Sequence, residues 1–238
     1  VEDKFDISCN TVVTIADYNK LKQLLLASNI VALNLILSDD AATAFGVAVA
    51  VDQAESYYIP VTHNDSVLPL ELAIILGDLA TTLANKIVVS HDIKAVYKIF
   101  MQHNIAIKGN WFDTMLLSYA LNSSIGRHNF DLVVTRYLNL AAPSYDSLVG
   151  IGKNRIPITQ LELDKVVQYA ATRVAINLKL YHVLAEKLRV DNSLNIYLEL
   201  EQPLIKILAM MEATGVLLDT ASLAEQGKCI TAEIATLE

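Results

Sequence analysis

The sequence predicts an α/β domain with a mixed central sheet flanked by helices, followed by C-terminal helices. Three apolar runs of strand length, at 30–37, 44–51 and 56–59, are separated by short polar turns and indicate a meander. Helical patterns then alternate with a short apolar strand pattern at 87–89, an order typical of mixed α/β sheets. Beyond Asp113 helical periodicity dominates the chain.

The first elements follow from β-branched runs and from residues that start or stop a helix. Residues 11–15 are β-branched and apolar, which predicts a short strand, and Asp17 is then placed to cap a helix. Pro60 ends the third strand of the meander. The spacing of apolar residues predicts further helices over 68–83 and 92–103.

The central stretch at 110–128 indicates the start of a helix and the loop after it. Asp113 or Thr114 can cap this helix, because either side chain offers an oxygen to an early backbone N–H. The apolar residues that follow at helical spacing predict its buried face: Met115, Leu116, Tyr119 and Leu121. A polar turn and Gly126 then end the helix.

A long helical pattern at 161–188 is followed by a change of composition at 190–193. We predict a boundary there, between a first domain at 1–190 and a second segment at 191–238. The side of the long helix that is predicted to be buried carries Val166, Tyr169, Ala170, Val174, Leu178 and Tyr181.

The second segment has the start and stop signals of two helices. Residues 194–213 are helical in pattern, and Pro203 must stand in a first turn or at a kink. Gly215 is placed as a C-cap, and Asp219 or Thr220 as the cap of a last helix. This pattern runs to the last residue without turn signals, so we expect the chain to be a fragment.

Composition narrows the class of protein. Hydrophobic residues make up 53% of the 238 residues, enough for a sizeable core. No apolar run reaches the roughly 18 residues that a membrane helix needs, so no membrane partner is expected. The net charge of −8 argues against nucleic-acid binding through bulk positive charge. Cys9 and Cys229 lack metal-site spacing and indicate free thiols in a reducing cytosol.

The residue choice at 112–128 is specific: Phe-Asp-Thr-Met-Leu-x-x-Tyr-x-Leu-Asn-Ser-x-x-Gly-Arg-His. It strongly resembles the 3′–5′ exonuclease domain of bacterial DNA polymerase I, the family A polymerases. The likeness covers 11–190, and residues 199–219 resemble the start of the polymerase domain. The resemblance implies a ribonuclease H-like (DnaQ-like) exonuclease fold in a fragment of an enzyme of DNA replication and repair. The fragment stops before the palm, so Mg²⁺ is expected only for the polymerase domain of the parent protein.

An active exonuclease of this family uses four carboxylates to hold two divalent ions. The resemblance places Asn34 and Ile36 at its Asp-x-Glu pair and Val96 at its third acid. Tyr169 keeps the tyrosine of the fourth motif, Tyr-x-x-x-Asp, but Arg173 stands where the acid should be. Three neutral side chains and a cation replace four negative charges. We therefore expect no metal ion, no cofactor and no exonuclease activity in this fragment.

Four other residues match family positions near a single-stranded 3′ end: Arg127, His128, Tyr145 and Lys153. Each has an alternative role. Arg127 can bond the carbonyls of its own loop, and His128 can start a helix. Tyr145 can pack against neighbours, and Lys153 can simply be solvated. Asp40 stands where the family has an apolar wedge, so we expect only weak binding of single-stranded DNA.

Three functions are compatible with these residues. The first is a non-catalytic, structural exonuclease-like domain joined to the first polymerase helices. The second is an active exonuclease whose metal site has moved to Asp39, Asp40 or Asp92, with Asp113 nearby. The third is a free-standing nucleic-acid or protein binding module. For the first, the expected partners are DNA and the rest of the polymerase chain, in the bacterial cytoplasm and in contact with the nucleoid.

The former metal site also makes a geometric prediction. Asn34, Ile36, Val96 and Arg173 should still converge, because the sheet and helices that carry them are intact in pattern. Ile36 and Val96 should fill part of the vacated volume. Arg173 should reach solvent or pair with backbone carbonyls or a carboxylate, since a lone buried charge is too costly. We expect its carboxylate partner to be Asp92 or Asp113.

Overall fold

The computed structural model describes residues 7–38, 42–62 and 70–237 and contains a six-stranded sheet with the strand order β1-β4-β3-β2-β5-β6. The strands are β1 (Ser8–Thr11), β2 (Ile30–Leu37), β3 (Ala44–Ala50), β4 (Glu55–Pro60), β5 (Ile87–Ser90) and β6 (Asn110–Asp113). Strands β2, β3 and β4 are antiparallel neighbours, which confirms the meander. The pairs β1–β4, β2–β5 and β5–β6 are parallel, so the sheet is mixed.

The helices lie on both faces of the sheet. They are α1 (Ile15–Ala27), α2 (Leu72–Thr82), α3 (Ile93–Gln102), α4 (Thr114–Leu121), α5 (Phe130–Leu138), α6 (Tyr145–Val149), α7 (Leu163–Val190), α8 (Leu194–Ile196), α9 (Gln202–Thr214) and α10 (Thr220–Leu237). One core cluster joins the sheet to α1, α2 and α3, and the other joins it to α4, α5 and α7. No helix in the described part of the chain is both long and apolar enough to cross a membrane.

Strand β2 shows why both faces are covered. Its Val31 and Leu33 belong to the cluster with α1, α2 and α3, whereas Ala32 and Ile36 belong to the cluster with α7. Side chains of a strand alternate between the two faces of a sheet, so Asn34 shares the α7 face with Ile36. An apolar run without polar alternation therefore folds as a strand buried on both sides.

Two predicted elements near the N-terminus are displaced in the structure. The first strand is Ser8–Thr11 instead of 11–15, and it pairs with the edge of β4. Helix α1 is capped by Thr14, not by Asp17. The Thr14 hydroxyl oxygen accepts a bond from the backbone N–H of Asp17 at 3.1 Å, and the hydroxyl donates to the Asp17 carboxylate at 2.6 Å. The predicted helix at 68–83 lies partly outside the described residues, and its described part is α2.

The central stretch contains a strand that the helical interpretation missed. Residues Asn110–Asp113 form β6. The strand was missed because four residues give too short a pattern to show strand alternation. Asp113 caps α4 as predicted, accepting a hydrogen bond from the Met115 N–H at 2.9 Å. The predicted apolar stripe is wrong in part: Leu116 and Leu121 pack against the core, whereas Tyr119 is 42% exposed. The fully buried residues of α4 are Thr114, Leu117 and Ser118. The two hydroxyls are buried because both find hydrogen-bond partners.

Helix α7 confirms the long helical pattern, and its six predicted inward residues are all buried. Three residues at 191–193 separate it from α8, and a π-helical turn, Tyr197–Glu201, then leads into α9. Pro203 stands in the first turn of α9, one of the two predicted placements. The wider π turn precedes the proline, whose ring would clash with a regular α-helical carbonyl.

The segment beyond α7 packs only in part against the sheet domain. Tyr197 is fully buried and Ile205 is 4% exposed, each within one of the two core clusters. Gly215 ends α9 with φ 70°, and Asp219 accepts a hydrogen bond from the Ser222 N–H at the start of α10. Helix α10 has no buried side chain among its described residues. The domain boundary at 190 stays a prediction.

Candidate functional site

Asn34, Ile36, Val96 and Arg173 line one cleft of about 470 Å³ at the end of β2. Strand β2 contributes the first two, α3 contributes Val96 and α7 contributes Arg173. The predicted convergence is therefore present. Ile36 is 6% and Val96 2% exposed, so both pack into the wall as expected. A larger groove of about 930 Å³ lies between α4, α5 and α7 and contains none of these four residues.

Asn34 is held by a buried polar chain that runs from β2 to α4. The Asn177 amide nitrogen donates to the Asn34 side-chain oxygen at 3.2 Å. The Thr114 hydroxyl in turn donates to the Asn177 side-chain oxygen at 2.6 Å. Asn177 is fully buried on α7, one helical turn after Arg173. The amide of Asn34 is thus fixed by protein groups.

His91 extends this polar chain into the cleft. Its Nδ1 lies 2.9 Å from the Thr114 hydroxyl, and its ring packs edge-on against Phe130. Burial, and next the nearby positive charge of Arg173, lower the pKa of His91 to about 3, although a hydrogen bond with the His128 backbone opposes the shift. The imidazole is therefore neutral at physiological pH and acts as a polar part of the wall.

Asp113 is a buried acid that holds the start of α3 next to the cleft residue Asp92. It is 1% exposed, and its carboxylate accepts bonds from the N–H groups of Asp92 at 3.1 Å and Ile93 at 2.7 Å. Together with the cap on α4, one carboxylate holds the first turns of two helices. Burial raises the pKa of Asp113 to about 6, although these N–H groups oppose the shift. Asp92 adopts a left-handed φ of 59°, and its Oδ1 is buried without a partner among the described residues.

Arg173 is paired, but not with the predicted acids. Its Nη1 donates to the Asp131 carboxylate at 2.8 Å and to the Pro143 carbonyl at 2.8 Å. The guanidinium lies 4.1 Å from the Phe130 ring centroid and 5.2 Å from that of Tyr169. Asp113 cannot serve as the partner, since its oxygens bond backbone amides. The carboxylate partner of Arg173 is therefore Asp131 on α5.

Two aromatic residues and a second arginine also line the cleft. Tyr145 and Tyr169 pack edge-on at 6.3 Å between ring centroids. The Arg155 guanidinium lies over the Tyr145 ring, 5.6 Å from its centroid. Of the four residues predicted to bind DNA, Tyr145 is the one that lines this cleft.

The other three predicted DNA-binding residues lie outside the cleft lining. His128 Nδ1 is 2.9 Å from the Ser118 hydroxyl, which ties the loop to α4. Arg127 is exposed, and its backbone N–H bonds the Ile125 carbonyl. Lys153 is exposed on the turn Gly152–Asn154. His128 thus has a structural contact, although not the helix start that was its alternative role, since Asn129 precedes α5 as its N-cap residue.

Of the acids proposed for a moved metal site, the structure describes Asp92 and Asp113. Asp39 and Asp40 lie outside the described residues. Within 7–38, 42–62 and 70–237, no three His, Cys, Asp or Glu side chains cluster closely enough to hold a metal ion.

Sequence reasoning missed two residues that line the cleft, Arg155 and His91, and one buried residue behind it, Asn177. Asn177 follows Arg173 by four residues, so helical spacing places both on one face of α7. Arg155 follows Lys153 by two residues in the same loop, and nothing in the pattern separates them. His91 directly precedes Asp92, but its contact with Thr114 joins residues 23 positions apart.

The sheet and its flanking helices define a ribonuclease H-like exonuclease fold. Among solved structures, the POL domain of Pol1 from M. smegmatis, in complex with DNA primer-template and dNTP, aligns with a TM-score of 0.70 at 17% identity, over 95% of this chain and 36% of that one. Brucella melitensis NrnC with bound Mg²⁺ aligns with a TM-score of 0.60 at 14% identity, over 87% and 92% of the two chains.

The 3′–5′ exonuclease family matches residues 10–189, and the chain belongs to this family as it occurs in bacterial DNA polymerase I. DNA polymerase I from Pseudomonas aeruginosa is 29% identical over 204 residues, or 83% of this chain. The Synechocystis enzyme is 32% identical over 201 residues, or 81% of this chain. The chain spans about a fifth of the length of these relatives, 22% and 20% respectively.

Proposed function

We propose that this chain is a non-catalytic exonuclease-like domain of a DNA polymerase I, which takes part in DNA replication and repair in the bacterial cytoplasm. It neither cleaves nor synthesises DNA, and it binds single-stranded DNA weakly. The main support for this proposal is that one cleft is lined by Asn34, Ile36, Val96 and Arg173. These are the positions that the family resemblance assigns to the four metal-binding acids.

The residues present do not fit a pair of divalent ions. Mg²⁺ is bound through oxygen ligands, and the side chains of Ile36 and Val96 have no oxygen. The Asn34 oxygen accepts a hydrogen bond from Asn177. The Arg173 guanidinium is a fixed positive charge on the cleft wall and would repel a cation. The metal-activated attack on a phosphodiester therefore has no ligand set here.

Retained cleft geometry supports a DNA partner. The relatives are DNA polymerases I, and one structural neighbour is described with a DNA primer-template and another, NrnC, with pGG. In this chain the cleft keeps Tyr145 and Tyr169 on one wall with Arg155 beside them. Aromatic faces bind bases at about 1–3 kcal/mol each and cations bind phosphates, whereas the acidic chain as a whole opposes DNA. The expected binding is weak and sensitive to salt.

A degradation assay tests the loss of catalysis. We expect 5′-labelled single-stranded DNA to keep its full length on a sequencing gel after incubation with the protein and Mg²⁺ or Mn²⁺. Shortening from the 3′ end that EDTA stops and that an Asn34→Ala variant lacks would overturn the proposal. The variant serves as the control for a contaminating nuclease, whose activity it would leave unchanged.

The moved-site alternative rests on Asp92 among the described residues. Its Oδ1 is buried beside the cleft and has no partner there, whereas the oxygens of Asp113 are committed to three amides. The same assay with Asp92→Asn distinguishes this alternative. Metal-dependent shortening that is lost in Asp92→Asn and retained in Asn34→Ala would identify a moved site.

A further inference from the structure

Residues 197–214, the π-helical turn and α9, lie along an outer edge of the sheet. Strand β6 ends the strand order, and β5 is its partner among the described strands. We propose that residues 197–214 form a latch that closes this edge, holds α3 in place while it is closed, and opens as a unit apart from the rest of the chain. The latch is a conformational device, and it is independent of the proposed DNA binding.

Two side chains of the latch take the place of a neighbouring strand. The Asn110 N–H bonds the backbone carbonyl just before β5, and backbone groups alternate in direction along a strand. Those of Trp111 and Asp113 therefore face the open edge. The Tyr197 hydroxyl accepts the Asp113 N–H at 2.8 Å, and the Gln202 amide donates to the Trp111 carbonyl at 2.6 Å. Both edge groups are thus paired, as buried backbone groups must be.

The latch also carries the acid that pairs with α3. Lys94 and Lys98 lie one turn apart on α3, a like-charge arrangement that destabilises a helix. The Glu212 carboxylate of α9 bridges them, 2.6 Å from the Lys94 Nζ and 3.3 Å from the Lys98 Nζ. The hydrogen bond from Lys94, and next that from Lys98, hold the pKa of Glu212 below its usual value. The cleft residues Ala95 and Val96 stand between the two lysines in the sequence.

Few groups hold the latch closed, so its opening should cost less than global unfolding. Its buried side chains are Tyr197, Ile205 and Ala209. The ion pairs to α3 are partly exposed, and such pairs contribute little and weaken as salt screens them. Segments with few buried apolar contacts open locally, as cooperative units.

Opening of the latch should loosen the α3 wall of the cleft. Tyr197 bonds the backbone of Asp113, whose carboxylate holds the first-turn N–H of Ile93 at 2.7 Å. When the latch opens, Asp113 loses this backbone partner and α3 loses the bridge from Glu212. The start of α3 is then supported less from both sides. The latch therefore couples the C-terminal helices to the cleft through contacts that are broken together.

Native-state amide hydrogen exchange, resolved by residue in NMR spectra of the full chain, tests the latch. We expect the amides of α9, the Asp113 N–H and the Ile93 N–H to share one opening free energy. Their protection factors should be at least about tenfold lower than those of the central strand β2, which needs a larger unfolding to exchange. Raising the salt concentration from about 0.05 M to about 1 M should lower their protection together by about twofold, because it screens the ion pairs at Glu212.

Two substitutions separate the contacts that close the latch. Glu212→Gln should lower the protection of α9, Asp113 and Ile93 by the same factor of about two, and it should remove the salt dependence. Glu233→Gln is the matched control, because it removes the same charge from an exposed position of α10 outside the latch. Tyr197→Phe keeps the ring and loses the hydroxyl, so it should lower the protection of the same amides about tenfold.

Three results would overturn the latch. Protection of the α9 amides equal to that of β2 would show that the segment does not open on its own. Fast exchange in α9, with Asp113 and Ile93 as strongly protected as β2, would show that its opening leaves α3 unaffected. Equal effects of Glu212→Gln and Glu233→Gln would remove the role assigned to the bridge between α9 and α3.

Discussion

Replacing Asp113 by alanine should destabilise the protein more than any change on its surface. The carboxylate is 1% exposed and accepts three backbone N–H groups, from Asp92 at 3.1 Å, Ile93 at 2.7 Å and Met115 at 2.9 Å. Alanine leaves these donors at the starts of α3 and α4 without an acceptor, in a place that excludes water.

The magnitude follows from the number of lost bonds. Each buried donor left unsatisfied costs about 1 kcal/mol or more, so Asp113→Ala should lower the free energy of unfolding by about 3 kcal/mol at pH 7. That is a large part of the roughly 5–15 kcal/mol that stabilises a domain. Asp164→Ala is the control, since Asp164 is an exposed acid in the first turn of α7 and should change stability by less than about 1 kcal/mol.

The effect of Asp113→Ala should also depend on pH. The pKa of Asp113 is raised from 3.8 to about 6, so the folded state binds the proton more tightly than the unfolded state. The contribution of this group to stability therefore falls as pH rises from about 4 to about 6, by up to about 3 kcal/mol. The cost of the substitution should be larger at pH 4 than at pH 7.

Urea denaturation followed by circular dichroism measures these free energies. A loss below about 1 kcal/mol for Asp113→Ala, equal to that of Asp164→Ala, would refute the assignment of Asp113 as a residue that caps both α3 and α4. A cost that grows with pH between 4 and 6 would refute the sign of its pKa shift.

Three further predictions concern the same region. Tyr197→Phe should cost about 1–3 kcal/mol in urea denaturation, because the hydroxyl accepts the Asp113 N–H at 2.8 Å, whereas Tyr119→Phe on the surface should cost almost nothing. The His91 pKa is lowered from 6.5 to about 3, so wild-type stability should fall as pH drops from about 6.5, and a His91→Asn variant measured alongside should lack this loss. Millimolar Mn²⁺ should leave the melting temperature unchanged in calorimetry, since a ligand raises it only by binding the native state; a rise would disprove the argument from the lost acids.

The sequence determined the strands and helices whose patterns are long or strongly apolar. The meander at β2–β4 and helix α7 are predictable because their patterns are long: β2 has eight residues that are apolar except for Asn34, and α7 has 28 residues with helical spacing. The resemblance of 112–128 to the exonuclease family, and the identities of Asn34, Ile36, Val96 and Arg173, were also readable from the sequence. From these residue types alone we expect that two divalent metal ions would find no ligands at the four positions.

Tertiary structure determined the features that depend on contacts between residues far apart in the sequence. β6 is a strand because β5 pairs with it, and Thr114 is buried because Asn177, 63 residues away, accepts its hydrogen bond. The partner of Arg173 turned out to be Asp131 on α5, a choice set by how α5 and α7 pack and not by any spacing along the chain. A local pattern fixes which face of an element is apolar, but the pairing of buried polar groups follows only from the packed arrangement, where each must find a partner.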